Sequence, residues 1–149
     1  MDCILRNVFS SYNVMTGIEL GIGDHTERLY NSLGSLTSLV KNTELYHKYR
    51  PPEFGDLWMC QHYFRPEDIS TFFHYFEPEY DLAVITCQNF QECLTFFMEV
   101  GTIKVPYIIS RWNMGNKIGY VQRVFHTDDY EGDLYFYFRD ITEDWSCDL

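Results

Sequence analysis

Residues 81–110, "DLAVITCQNFQECLTFFMEVGTIKVPYIIS", constrain the fold more than any other stretch of this chain. "DLAVITC" is a short, nearly all-apolar run rich in β-formers, the mark of a strand covered on both faces. Asn89 stands where a helix N-cap belongs, and Phe90, Cys93, Leu94, Phe97 and Val100 then recur on one helical face until Gly101 ends it. "TIKVPYIIS" resumes extended geometry after only Gly-Thr. Strand, helix and strand in that order make one parallel β-α-β crossover.

The flanking segments read differently. "CILRNVFSSYNVMTGIELGI" (3–22) suits two short strands about a Ser/Tyr/Asn turn. Asp24 and Glu27 form a capping box, and Leu29, Leu33, Leu36 and Val40 keep helical spacing, which predicts a helix over 25–48 that Gly34 weakens near its middle. "RPPEFGD" (50–56) stops it, because neither proline can extend a helix. Pro66 and "EDISTFFHYF" predict a second helix, with acids near its positive end.

From residue 103 on the pattern is short strands, 103–109, 118–125 and 133–139, joined by the turn-rich "RWNMGNK" and "HTDDYEGD". Pro106 removes a ladder donor from the first, which predicts an edge or bulged strand. The expectation is an α+β fold, with about three helices packed on a mostly antiparallel sheet, a C-terminal three-stranded meander and one parallel β-α-β crossover. Residues 1–149 make a single globular domain, since no linker, repeat or low-complexity tract divides them.

At 149 residues, folding removes roughly 70% of the unfolded chain's surface from water, so neither metal nor disulfide is required. Five cysteines (Cys3, Cys60, Cys87, Cys93, Cys147) at irregular spacing, with no leader pattern, fit a reducing cytoplasm. No apolar run reaches the roughly 18 residues that would span a bilayer.

Twenty-two acids against 11 Lys and Arg give a formal charge of −11, which argues against nucleic acid and membrane partners and favours a basic protein. The charges are sorted: residues 100–125 carry Lys104, Arg111, Lys117 and Arg123 and no acid, whereas 126–149 carry eight acids and Arg139. Cross-strand pairing would absorb some of these charges. Otherwise Asp128, Asp129, Glu131, Asp133, Asp140, Glu143 and Asp144 rim a surface on which Tyr135, Tyr137 and Trp145 anchor a cationic partner. The resulting expectation is a non-catalytic acidic protein that inhibits or occludes a basic macromolecule. Immunity proteins and small viral or phage antagonists share this profile of size, acidity and aromatic content, and a homodimer through the tyrosine face stays open.

The rival expectation is a small hydrolase, with or without a metal. Cys60, His62, His74, Cys87 and Cys93 are the soft candidates, and Glu67, Asp68, Glu77, Glu79 and Asp81 the carboxylates. The spacings match no zinc knuckle, and Cys93 falls on an apolar helix face where cysteine fills core. Therefore no metal or cofactor is expected. "GIELGIGD" (17–24) holds three glycines ahead of a helix but lacks dinucleotide-loop spacing, so it reads as a turn. "LYHKYRPPEFGDL" (45–57) resembles the opening segment of bacterial clamp-loader ATPases. Those proteins go on to a Gly-Lys-Ser/Thr phosphate loop, which this chain does not contain.

Overall fold

The computed structural model describes residues 5, 16–23, 25–33, 35–40, 56–59, 71, 80–87, 89–100, 105–116, 119–126 and 132–139. Its elements are β1 (Thr16–Leu20), α1 (His25–Ser32), β2 (Ser35–Val40), β3 (Asp56–Met59), β4 (Leu82–Ile85), α2 (Phe90–Val100), β5 (Tyr107–Ser110), β6 (Tyr120–His126) and β7 (Asp133–Arg139). They form one seven-stranded sheet of order β3-β2-β1-β4-β5-β7-β6. The first five neighbours pair in parallel, and β7 runs antiparallel to both β5 and β6.

A parallel sheet needs cover on both faces, and this one has it. Along β4, Leu82 and Val84 pack with Leu29, Leu33, Leu36, Ile109 and Phe136 on the side of α1. Ala83 and Ile85 pack with Ile18, Leu20, Cys93, Phe96, Phe97 and Ile108 on the side of α2. Every residue of β4 is buried, as its unbroken apolar run predicts. The crossover β4-α2-β5 is present, and Asn89 Oδ1 caps α2 by accepting from the Gln91 and Glu92 amides at 2.8 and 3.4 Å. Gly17 lets α1 seat on β1, since a Cβ there would lie 2.5 Å from Leu33 Cδ1.

Four expectations are corrected. The sheet is a mixed α/β sheet dominated by parallel pairing, not mostly antiparallel: the crossover is the rule for its first five strands. The helix expected over 25–48 ends at Ser32, and Ser35–Val40 is strand β2. Leu29, Leu33 and Leu36 do line one cluster, but from two elements, so their helical spacing arises from packing across a turn. The C-terminal strands are no simple meander, because β7 inserts between β5 and β6. β7 has apolar or aromatic residues on both faces and takes the interior position, whereas β6 is largely exposed and takes the edge. Finally, β5 is interior: Pro106 stands just ahead of Tyr107, so its missing donor falls outside the ladder.

Leu5, expected in a strand, is helical and buried. The helix expected after Pro66 lies outside the described residues except Thr71, which is helical. The capping-box residue Asp24 and most of 45–57 also lie outside them.

Candidate functional site

From β1 the chain steps outward to β2 and β3, then returns across β1 to β4 and onward to β5. The direction of winding therefore reverses between β1 and β4. At such a reversal the loops leaving adjacent strand ends diverge, and the crevice beyond the C-terminal ends is where open α/β sheets hold ligands. Here those ends are residues 21–23 after β1 and residues 86–87 after β4.

β1 carries an acid inside an otherwise apolar strand. Glu19 is fully buried, and a buried carboxylate is tolerable only with partners. It has three. Oε1 accepts from Ser38 Oγ at 2.5 Å, and Oε2 accepts from Thr26 Oγ1 at 3.2 Å with His25 Nε2 at 3.1 Å. Ser38 belongs to β2 and the other two to the first turn of α1. His25, also buried, continues the network: Nε2 is 2.9 Å from Thr86 Oγ1 and 3.3 Å from the Gly21 carbonyl. Glu19 Oε2 and Gly21 O can only accept, so the hydrogen resides on Nε2. One carboxylate thus ties the ends of β1, β2 and, through His25, β4 to the start of α1.

The loop above this network is shaped by glycine. Gly21 has φ 97°, a left-handed conformation, and a Cβ there would meet Cys87 N at 2.9 Å. Its amide donates to Leu39 O at 3.3 Å, and its carbonyl accepts from Thr86 Oγ1 at 3.4 Å. Gly23 O accepts from the Thr26 amide at 3.0 Å, and Thr26 Oγ1 accepts from the Gly23 amide at 3.0 Å. Thr26 stands where a dinucleotide loop has its third glycine, the residue of close helix–strand approach. In this chain a buried threonine takes that place and bridges the loop to Glu19. The N-terminus of α1, with its partial positive charge, directly follows this loop.

Beyond β4 and β5 the rim turns aromatic. Phe90 is 45% exposed and meets Trp112 edge-on, with ring centroids 6.0 Å apart and planes at 75°. Trp112 Nε1 donates to Cys87 O at 3.1 Å, which fastens the residues after β5 to the end of β4. Behind them Tyr137 Oη accepts from the Met114 amide at 2.8 Å and from Gln122 Nε2 at 2.9 Å.

Most residues expected to rim an acidic interface, Asp128, Asp129, Glu131, Asp140, Glu143, Asp144 and Trp145, lie outside the described residues. Of those described, Tyr137 is buried in the core against Phe97, with centroids 5.0 Å apart, and Tyr135 is half-buried against the same cluster. On the tyrosine side of β7, Phe97 of α2 covers Tyr137, while Tyr135 keeps part of its surface open. Asp133 is exposed and pairs across the hairpin with His126 at 2.8 Å. Cys60, His62 and His74 lie outside the described residues, and among those described no three metal-type ligands converge. No helix among the described residues is long and apolar enough to cross a membrane.

The residues that matter were present in "GIELGIGD", which reads as a turn when the strand before it is weak and the helix after it too long. The usable signal was chemical: a glutamate inside an apolar strand, followed directly by Gly-x-Gly and a helix start.

No family model and no curated protein matches this sequence. Among solved structures, the chain is similar to the crystal structure of the N-methyltransferase NodS from Bradyrhizobium japonicum WM9, with a TM-score of 0.54 over 92% of each chain at 14% identity. At that identity the likeness is one of fold. This finding corrects the expectation of a non-catalytic inhibitor of the immunity-protein or phage-antagonist kind: the chain shares its fold with that methyltransferase.

Proposed function

We propose that this protein is a methyltransferase-type enzyme that binds a nucleoside-bearing methyl donor over the Gly21–Gly23 loop and delivers the methyl group to an amine nitrogen beside Phe90 and Trp112. The observation that carries this reading is the buried Glu19 beneath a left-handed Gly21 at the β1/β4 winding reversal, in a fold shared with an N-methyltransferase.

The donor fits the residues present. Gly21 lets the loop lie directly against the backbone at the end of β4, where a Cβ would meet Cys87 N at 2.9 Å, and the start of α1 supplies a positive end for a carboxylate or phosphate group. When bound, a sulfonium donor supplies an activated methyl carbon with a neutral thioether as its leaving group. The chain's own contribution is positional. Glu19 does not meet the ligand: its carboxylate is occupied by Ser38, Thr26 and His25 and fixes the loop's path. Phe90 and Trp112 offer apolar edges that exclude water from an acceptor amine, and orientation of this kind supplies much of the rate of a displacement between two bound reactants.

Titration of the purified protein with S-adenosylmethionine, followed by Trp112 fluorescence or calorimetry, tests the reading. Saturable one-to-one binding that disappears in Gly21→Val, while the variant keeps its circular dichroism spectrum, is expected. Folded wild-type protein that binds neither S-adenosylmethionine nor S-adenosylhomocysteine at millimolar concentration would overturn it.

A further inference from the structure

Two thiols beside the site have no role in the proposed activity. Cys87 lies two residues beyond β4, and Cys93 lies in the first turn of α2, where its amide donates to Asn89 O at 3.0 Å. Both are buried free thiols, and their sulfurs are 2.7 Å apart. Two core cysteines acting only as small hydrophobes would be expected to spread their contacts among apolar neighbours. These face each other at hydrogen-bond distance, and each sulfur also lies near a backbone carbonyl: Cys87 Sγ is 3.6 Å from Asn89 O, and Cys93 Sγ is 3.4 Å from Cys87 O.

We infer that Cys87 and Cys93 form a peroxide-oxidisable dithiol that closes to an intramolecular disulfide at the end of β4. The separation to be closed is small. A disulfide needs its sulfurs about 2.05 Å apart, so the two must approach by well under 1 Å. The turn that joins them, capped by Asn89, already brings the strand end and the helix start together.

The order of events follows from the surroundings. The hydrogen bond with Cys87, followed by burial, pushes the Cys93 thiol well above its ordinary range, so Cys93 keeps its proton. Cys87 is the more exposed of the two, at 4% against 0%, and is therefore the sulfur that peroxide reaches first. The Cys87 thiolate attacks one peroxide oxygen, the O–O bond breaks, and hydroxide leaves to give Cys87 sulfenic acid. The Cys93 sulfur then attacks the Cys87 sulfur, the S–O bond breaks, and a second hydroxide leaves. The protons of the two thiols convert both hydroxides to water, so two thiols are oxidised by two electrons and one peroxide is reduced. A dithiol such as dithiothreitol reverses the product by exchange.

The placement gives the disulfide a reader. Cys87 N and Cα are the atoms nearest to the space above Gly21, and the Cys87 carbonyl holds Trp112. A covalent tie there stiffens the wall shared by the glycine loop and the aromatic rim. The inference does not depend on the proposed activity, because its readout is the covalent state of two named sulfurs.

Glu79, Glu92 and Glu99 allow a direct test, because cleavage after glutamate separates residues 80–92 from residues 93–99 and leaves one of the two cysteines on each fragment. The folded full-length chain is treated with hydrogen peroxide, quenched, alkylated under denaturing conditions and digested without reductant. The two fragments are expected to run as one linked species, unalkylated and about 2 Da below the sum of their thiol forms, and to separate on adding dithiothreitol. In Cys93→Ser the linked species is lost and Cys87 is instead trapped by dimedone as sulfenic acid. Fragments that stay separate in the wild-type digest, a link that forms only after unfolding in urea, or a link from either cysteine to Cys3, Cys60 or Cys147 would each sink the inference.

Discussion

The two ends of the β1/β4 pair are both tied by a carboxylate, and they are tied differently. At the N-terminal end Asp81 Oδ2 accepts from the Thr16 amide and hydroxyl at 2.9 and 3.0 Å, while Thr16 Oγ1 accepts from the Asp81 amide at 3.1 Å. This is a staple between two neighbouring strands, half-exposed to water. At the C-terminal end Glu19 is fully buried, and its partners come from β2 and α1, with His25 extending the tie to β4. A half-solvated tie holds its own two strands; a buried one that gathers several elements sets the shape of whatever lies above it. Stability should therefore respond at both ends and ligand binding at one.

The largest effect is expected from Glu19→Ala. It leaves Ser38, Thr26 and His25 facing a vacancy in a dry interior, and removing one member of such a buried set costs about 3 kcal/mol or more. Urea denaturation should report that loss, and Glu19→Gln, which can keep two of the three bonds, should recover part of it. Binding of S-adenosylmethionine should be abolished in the first variant and weakened in the second. Equal binding by wild type and Glu19→Ala would remove the distinction between the two ends.

Two glycines sharpen the contrast. Gly17→Ala meets only the tip of the Leu33 side chain, which can turn aside, whereas Gly21→Ala meets Cys87 backbone in a left-handed conformation. Strain of the second kind costs on the order of 1–3 kcal/mol, and relieving it would push the loop away from the end of β4. Gly17→Ala should lower the denaturation midpoint and leave ligand affinity alone; Gly21→Ala should lower both. Next in size comes Asp81→Ala, which should cost about 1–2 kcal/mol through loss of the two hydrogen bonds from the Thr16 amide and hydroxyl and leave ligand binding unchanged, since it lies at the opposite end of the strands.

How far the sequence discloses these two ends depends on the range of the interactions involved. β4 is legible because an unbroken apolar run has one main explanation, and Asn89 marks the start of α2 because capping is settled within three residues. β7 is placed correctly over 133–139, yet its meaning is inverted: aromatics on alternate sides read as one buried and one displayed face, while interior position buries Tyr137 outright. Which strand lies beside which is decided by partners far along the chain, as Gly17 with Leu82 and Tyr107 with Phe138 illustrate, and no local pattern carries that. Net charge misleads for a related reason. It constrains long-range attraction, whereas the glutamate that organises the site is buried and is one acid among 22.

The smallest effect belongs to the neutral network behind the aromatic rim. Tyr137→Phe deletes the acceptor shared by the Met114 amide and Gln122, and loss of such bonds costs about 0.5–1.5 kcal/mol. Its signature is in the pH dependence. Burial raises the Tyr137 phenol above its ordinary range, and the hydrogen bonds from Met114 and Gln122 offset this only in part. A raised folded-state value means that the native protein holds this proton more tightly than the unfolded chain does. Its contribution to stability is therefore complete below the unfolded tyrosine value of about 10 and is lost as pH climbs from there through the folded one. Denaturation midpoints measured on either side of that value should fall more steeply for the wild type than for Tyr137→Phe, with the two curves converging as the phenol ionises. Parallel curves across the whole range would mean that the ring is wetter than its packing against Phe97 implies, and would reopen the question of which face of β7 is covered.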